Sequence, residues 1–247
     1  MPDWSYQTLF RPLLFRLPAA RARTLILDAL QCLGATHLGP RIIAVMGHAR
    51  PAPSLTRHGA GRAFPAPVLI GAELAGNERA LSALSRFGVG AVEVGPVVLT
   101  ADLPSAQIER HPLEQNLHLH STSFTPVATL EAQLRQAGAV PARVIVRLSH
   151  CPTADAATAA RERVALIRRL APLAELFTLE PPPSTWDDTA WEAHLATVVA
   201  AAQRCDRPVM IGVAADSTDA ELERRLAPAV RSGIAGVLVC GRVTVAN

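Results

Sequence analysis

The sequence predicts an α/β protein built on a parallel sheet, a (β/α) barrel or a doubly wound sheet, behind two short amphipathic helices. Three observations predict it. Six short runs are almost wholly apolar: Pro67–Ala72, Ala91–Val98, Arg143–Leu148, Leu176–Leu179, Pro208–Ala214 and Gly236–Cys240. Strands apolar on both faces belong to parallel sheets covered by helices. Helical patterns lie between them, near 76–87, 126–137, 155–171, 188–203 and 217–232. That alternation, joined by right-handed crossovers, leaves those two architectures. No glycine-rich fingerprint opens a helix after the first strand. Phe87–Gly90 precedes a strand instead and reads as a helix stop, which disfavours a dinucleotide site.

The first 35 residues have their own texture. Tyr6, Leu9, Phe10, Leu13, Leu14 and Leu17 fall at helical spacing, and Ala22, Leu25, Ile26, Ala29, Leu30 and Leu33 repeat it. Pro12 and Pro18 suit first turns, so helices are expected at about 11–17 and 19–33, the second closed by Gly34. Trp4, Tyr6, Phe10 and Phe15 sit among Arg11, Arg16, Arg21 and Arg23. Aromatic and leucine side chains flanked by arginine suit a helix lying in a membrane interface, with Trp4, Tyr6, Phe10, Leu13 and Leu14 facing it. The alternative is that both helices simply pack on the domain. Residues 36–66, rich in Gly, Pro, Ala and Arg, read as a linker, and 67–247 as the α/β domain.

Composition narrows the chemistry. With 247 residues and 49% hydrophobic, the chain can bury a sizeable core. No run reaches the roughly 18 apolar residues of a membrane span, and no secretory leader is read at the N-terminus. All 24 basic residues are arginine, which excludes a Schiff-base lysine and a P-loop lysine. The arginines are scattered and aromatics make up only 4%, so a nucleic-acid surface is disfavoured. Cys32, Cys151, Cys205 and Cys240 are far apart with no C-x-x-C pair, which fits a reduced, cytoplasmic setting.

Several segments, taken in order, resemble the quinone-type (class 2) dihydroorotate dehydrogenases. They are Leu9–Leu17 (LFRPLLFRL), Phe64–Val68 (FPAPV), Asn77–Glu78, Phe87–Gly95 (FGVGAVEVG), Pro208–Asp216 (PVMIGVAAD) and Gly233–Val239 (GIAGVLV). The resemblance is collinear over about residues 6–242. It implies a TIM-type (β/α)8 barrel behind two helices that form a quinone tunnel at a membrane surface. FMN would lie at the C-terminal ends of the strands, and a serine base would take a proton from dihydroorotate as hydride passes to the flavin.

The residues that the family uses for this are largely replaced. Gly76 stands where the resemblance puts a lysine, Pro96 for a flavin-contacting threonine, and Arg147 and Leu179 for asparagines. Pro182 takes the place of the base, Gly212 that of a lysine near the flavin ring, and Gly241 falls in the family's Thr-Asn-Thr. The substrate loop should fall in 116–124, where Leu117–Phe124 does not reproduce it; Ser184 sits two residues beyond the base position. Losing a general base alone costs about 10²–10⁴-fold in rate. The expectation is therefore a degenerate relative without bound FMN and without dihydroorotate oxidation, acting through binding. The alternatives are an active FMN-dependent enzyme with a rearranged site, and a truncated product without function.

The sequence stops at Asn247, directly after the sixth apolar run. Six strands do not close an eight-stranded barrel, so the expected fold is an incomplete TIM-type barrel whose open edges invite a protein partner, self-association or cover by the N-terminal helices. His118 and His120 share a face on an extended strand and could hold zinc in a barrel hydrolase; surface or loop histidines are the default. Glu73 and Glu93 follow the first strand and lie on the second; Glu93 reads as a structural hydrogen-bonding residue. Glu180 is expected to pair with Arg147, and the run Arg161–Arg169 to form a solvated helix face.

Overall fold

Alternation of side chains along each strand divides the molecule into two layers. In the computed structural model, which describes residues 6–36, 38–39, 41–43, 51–72, 78–99, 108–111, 116–119, 124–151, 153–183, 185–215 and 217–240, six parallel strands pair in chain order. They are β3 (Leu69–Ile70), β4 (Ala91–Val98), β8 (Arg143–Leu148), β9 (Leu176–Leu179), β10 (Val209–Ala214) and β11 (Gly236–Cys240). The sheet curls into a half barrel. A two-residue strand β7 (Thr125–Pro126) adds to the end of β4, beyond a register shift between Val94 and Val97. Short hairpins are made by β1 (Arg57–Gly59) with β2 (Arg62–Phe64), and by β5 (Ile108–His111) with β6 (Asn116–Leu119).

The helices are α1 (Arg11–Phe15), α2 (Ala19–Ala35), α3 (Leu81–Leu84), α4 (Val127–Ala137), α5 (Ala156–Leu170), α6 (Asp188–Arg204) and α7 (Asp219–Arg231). On the convex face Val92, Val94, Val144, Val146, Phe177, Val209 and Ile211 meet Leu130, Leu166, Ile167, Leu170, Leu195 and Val198 in one buried core. Each such side chain contributes about 1.5–3 kcal/mol when fully buried, so this outer layer holds most of the stability. The concave face has a thin apolar floor of Ala91, Ile145 and Leu176, packed by Phe64 and Met210.

The helix starts follow local chemistry. Asp155 and Asp187 cap α5 and α6 by accepting from the Thr158 and Ala190 amides, and Thr218 with Glu221 forms a capping box on α7. The expected strands and the four long barrel helices are present to within one or two residues. Three expectations are corrected. Among the described residues 78–87 of the helix expected at 76–87, Leu81–Leu84 is α-helical, behind a 3₁₀ turn at Glu78–Ala80. The expected linker 36–66 contains the β1–β2 hairpin, which lies under the N-terminal strand ends: Arg143 Nε donates to the Ala63 carbonyl at 3.0 Å and Arg62 pairs with Asp206 at 3.1 Å. The backbone passes so close there that a Cβ on Gly90 would lie 2.0 Å from the Ala66 carbonyl oxygen. The expected substrate loop, 116–124, begins with strand β6, which pairs with β5 ahead of it.

Both N-terminal helices exist, as π-helical turn Tyr6–Phe10 running into α1, then α2. One side of α2 docks on the barrel, with Ala22 and Leu27 buried and Ser82 Oγ donating to the Gly34 carbonyl at 3.3 Å. Phe10, Leu13, Phe15, Leu25 and Ile26 remain exposed, and Leu14 is half-buried. The Tyr6 side chain and all of Trp4 lie outside the described residues. No described helix is long and apolar enough to cross a membrane.

Candidate functional site

In a (β/α) barrel, chemistry gathers at the C-terminal ends of the strands. Three polar groups of the described residues occupy the concave face and that end. The first centres on Glu93, inward-facing on β4 and 1% exposed. Its carboxylate accepts from Arg147 Nη2 at 2.6 Å and Nε at 3.3 Å, from Thr178 Oγ1 at 2.5 Å, and from the Ala72 amide at 3.2 Å. These donors come from β8, β9 and the turn after β3, so one carboxylate ties four neighbouring segments. A charge this deep is tolerated only when paired and fully hydrogen-bonded, and Glu93 is.

The second group lies under α2. Glu78, 5% exposed, accepts from the Gly95 amide at 3.2 Å and Thr125 Oγ1 at 3.0 Å. Arg23 on α2 feels this carboxylate; burial lowers the Arg23 pKa and the Glu78 charge partly restores it. The third group is on the rim, where Ser149 Oγ donates to Glu180 at 2.6 Å. Behind it Arg163 of α5 is fully buried between His150 and His194.

A cavity of about 420 Å³ lies between β3 and β11, the outermost strands of the described sheet, lined by Arg57, His58, Phe64, Leu69, Met210 and Leu238 among others, with Glu93 and Thr178 at its inner wall. It lies on the floor side of the half barrel, away from the Ser149–Glu180 rim.

The positions singled out in the sequence fall unevenly. Arg147 faces the interior and Gly212 shares the inward register of Met210, which lines the cavity. Leu179 instead belongs to the convex core, and Thr178 one residue earlier is the inward side chain. Pro96 is buried where β4 shifts register, and Pro182 lies half-buried in the segment after β9. Gly76, Gly241, Glu73, Ser184 and His120 lie outside the described residues, as does the His118 side chain. Among the described residues no group of three His, Cys, Asp or Glu is placed to hold a metal ion.

Two expectations are corrected. Arg147 pairs with Glu93, not with Glu180, because Glu93 lies on the neighbouring strand β4 opposite Ile145, two residues before Arg147 on the same inward face, whereas Glu180 is taken by Ser149. Arg163, within the run expected to be solvated, is fully buried. Glu93 is the structural hydrogen-bonding residue expected. The Arg163–His150–His194 cluster was missed, and its one sequence signal was the i, i+3 and i+4 spacing that puts Arg163 on the same helical stripe as Ala159, Ala160, Leu166 and Ile167.

Pro96 has no N–H to give, Leu179 points into the convex core, and the inward guanidinium of Arg147 is engaged by Glu93 at 2.6 Å.

No family model matches the sequence, and no curated protein matches it. Solved structures do. A DHODH from Eimeria tenella in complex with ferulenol superposes with a TM-score of 0.61 at 17% identity, over 80% of this chain and 63% of that one. The ligand-free DHODH of the same organism gives 0.60 at 18%, over 82% and 67%. The chain thus spans about two thirds of the length of these structures and is similar to them in fold.

Proposed function

We propose that this protein is a degenerate dihydroorotate dehydrogenase-like half barrel that binds no FMN, oxidises no dihydroorotate and acts by binding a protein partner of pyrimidine synthesis or of the membrane surface. The observation that carries this reading is the Glu93–Arg147–Thr178 network. It neutralises the polar centre of the concave face with the chain's own side chains. The Glu93 carboxylate there takes internal donors from Arg147, Thr178 and the Ala72 amide rather than a substrate. Pro182 at the position of the family's base supports the same conclusion, since proline supplies no side-chain proton acceptor.

Two surfaces support a binding role. One is the cleft between β3 and β11, whose strands carry exposed Leu69, Val237 and Val239. The other is the apolar side of α1 and α2, where Phe10, Leu13 and Ile26 project beside arginines. In this reading the protein is cytoplasmic, with peripheral contact at the inner face of the membrane.

The test is turnover. Purified protein supplied with FMN, dihydroorotate and a quinone should form no orotate, and protein floated with anionic vesicles should lose binding in the L13E/I26E variant. Orotate formation above the protein-free control would support the competing reading, an active FMN enzyme with a rearranged site. The fold shared with the Eimeria tenella structures is what favours that competitor.

A further inference from the structure

The cavity of about 420 Å³ changes in character from mouth to depth. At its mouth, strand β1 places Arg57 and His58, both exposed. Its wall is apolar, formed by Phe64, Leu69, Ala91, Ile145, Met210 and Leu238. Its inner end is Glu93 and Thr178, 1% and 2% exposed. Gly236 faces the same space, since a Cβ built there would lie 3.5 Å from Met210 Cε. The hairpin that carries the mouth is tied down: Arg143 Nε donates to the Ala63 carbonyl and Arg62 pairs with Asp206. Arg57 Nη1 donates to the Ser54 and Thr56 carbonyls at 3.0 and 2.9 Å, which holds the guanidinium in place.

This gradient selects a ligand chemistry. Among the described lining residues the ionisable side chains are Arg57, His58 and Glu93. Glu93 is neutralised by Arg147 and also accepts from Thr178 and the Ala72 amide. A polar group pressed against that inner end would displace those bonds or go unpaired, and either is costly. A peptide segment would bring an N–H and a C=O at every residue into a wall of apolar side chains that pair with neither. A hydrocarbon chain brings no polar group at all. The volume lies within the range of small-molecule sites, about 300–1,000 Å³. Charge then sets the direction of entry. An anionic head at the inner end would face the Glu93 carboxylate, whereas at the mouth it meets the Arg57 guanidinium.

We propose that this cavity binds a single-chain fatty carboxylate of roughly eight to twelve carbons, its alkyl chain lying between Phe64, Ile145 and Met210 and its carboxylate at Arg57. Met210 gives the wall a flexible, polarisable side chain that adapts to chain shape. Val68, Leu69 and Val237 line the cavity yet remain exposed, an apolar lip that the methylenes nearest the head would cover. Arg57 is exposed, so its attraction is modest and weakened by salt, and the alkyl chain supplies most of the affinity. The site needs neither a flavin nor a protein partner, so its failure and that of the proposed function are separate outcomes.

The experiment is calorimetric titration of the full chain with hexanoate, octanoate and decanoate, and with decanol and decyltrimethylammonium as head-group controls. Binding at one site should tighten about threefold per added methylene, and decanoate should bind at least fivefold tighter than the cation. R57M should weaken decanoate about fivefold and leave decanol unchanged. G236L, which puts a side chain into the cavity, should abolish decanoate binding, whereas L13E/I26E should retain it. No binding of decanoate at millimolar concentration, affinity independent of chain length, or equal affinity for the cation would each overturn the proposal. So would native binding in G236L, or loss in L13E/I26E, which would move the site to the N-terminal helices. Should G236L fail to fold, the chain-length series and the head-group comparison in the unaltered chain decide by the same outcomes.

Discussion

Glu93 is the residue on which the interior depends. Its carboxylate collects bonds from Arg147, Thr178 and the Ala72 amide, so removing it deprives several buried donors at once. E93A is expected to cost about 3–5 kcal/mol in urea unfolding, the range for breaking one partner of a buried ion pair. The double variant E93M/R147L removes both charges and should recover most of that loss, since apolar replacement of a buried pair is often neutral. A double variant no more stable than E93A would show that Arg147 is held mainly by its other interactions. This residue pattern was partly legible in the sequence. Period-two alternation puts Glu93 and Arg147 inward on β4 and β8, but only the strand register, which pairs Glu93 with Ile145 and Arg147 with Thr178, tells which acid meets the arginine. Leu179 shows the converse. A one-residue difference in where a strand starts turns a side chain from the concave face to the convex core.

At the scale of elements, the docking of α2 rests on a close approach rather than on a large apolar seam. A Cβ on Gly34 would come within 3.1 Å of the Ala83 amide nitrogen and 3.3 Å of Ser82 Cβ. G34V is expected to loosen α2 from α3, speeding limited proteolysis around residues 36–56 while the melting of the barrel changes little. Proteolysis at the native rate would mean that Ala22 and Leu27 suffice to hold the helix. At the other end, Thr218 shares a capping box with Glu221, and T218A should lower stability by about 1 kcal/mol. The long helices were readable because apolar spacing, acidic caps and following strands agree. The hairpins were not. β1 and β2 are three residues each with Arg, His and Gly among them, and they exist because they roof the thin inner floor, a tertiary reason that no local pattern records.

At the scale of the whole molecule, the described residues form a curved sheet whose convex side is covered and whose outermost strands are β3 and β11. Helices bury the convex core, while β3 and β11 end the sheet on either side of the 420 Å³ cleft. Val237 and Val239 expose apolar side chains on β11, so the protein is expected to associate with concentration in sedimentation velocity, and V239E should reduce that association. A monomer at all concentrations would shift the proposed contact to the N-terminal helices. Six parallel strands in chain order were legible from six apolar runs, and the failure of six strands to close a barrel follows from geometry. The filled centre was not legible, because it requires side chains from β4, β8 and β9 to converge in space.

The most direct measurement of the account is a titration of FMN with the purified protein, read by flavin fluorescence and absorbance. A chain whose concave centre is already occupied by Glu93, Arg147 and Thr178 should leave the FMN spectrum and emission unchanged at micromolar concentrations. Saturable, stoichiometric quenching of the flavin, or protein that purifies yellow, would contradict it.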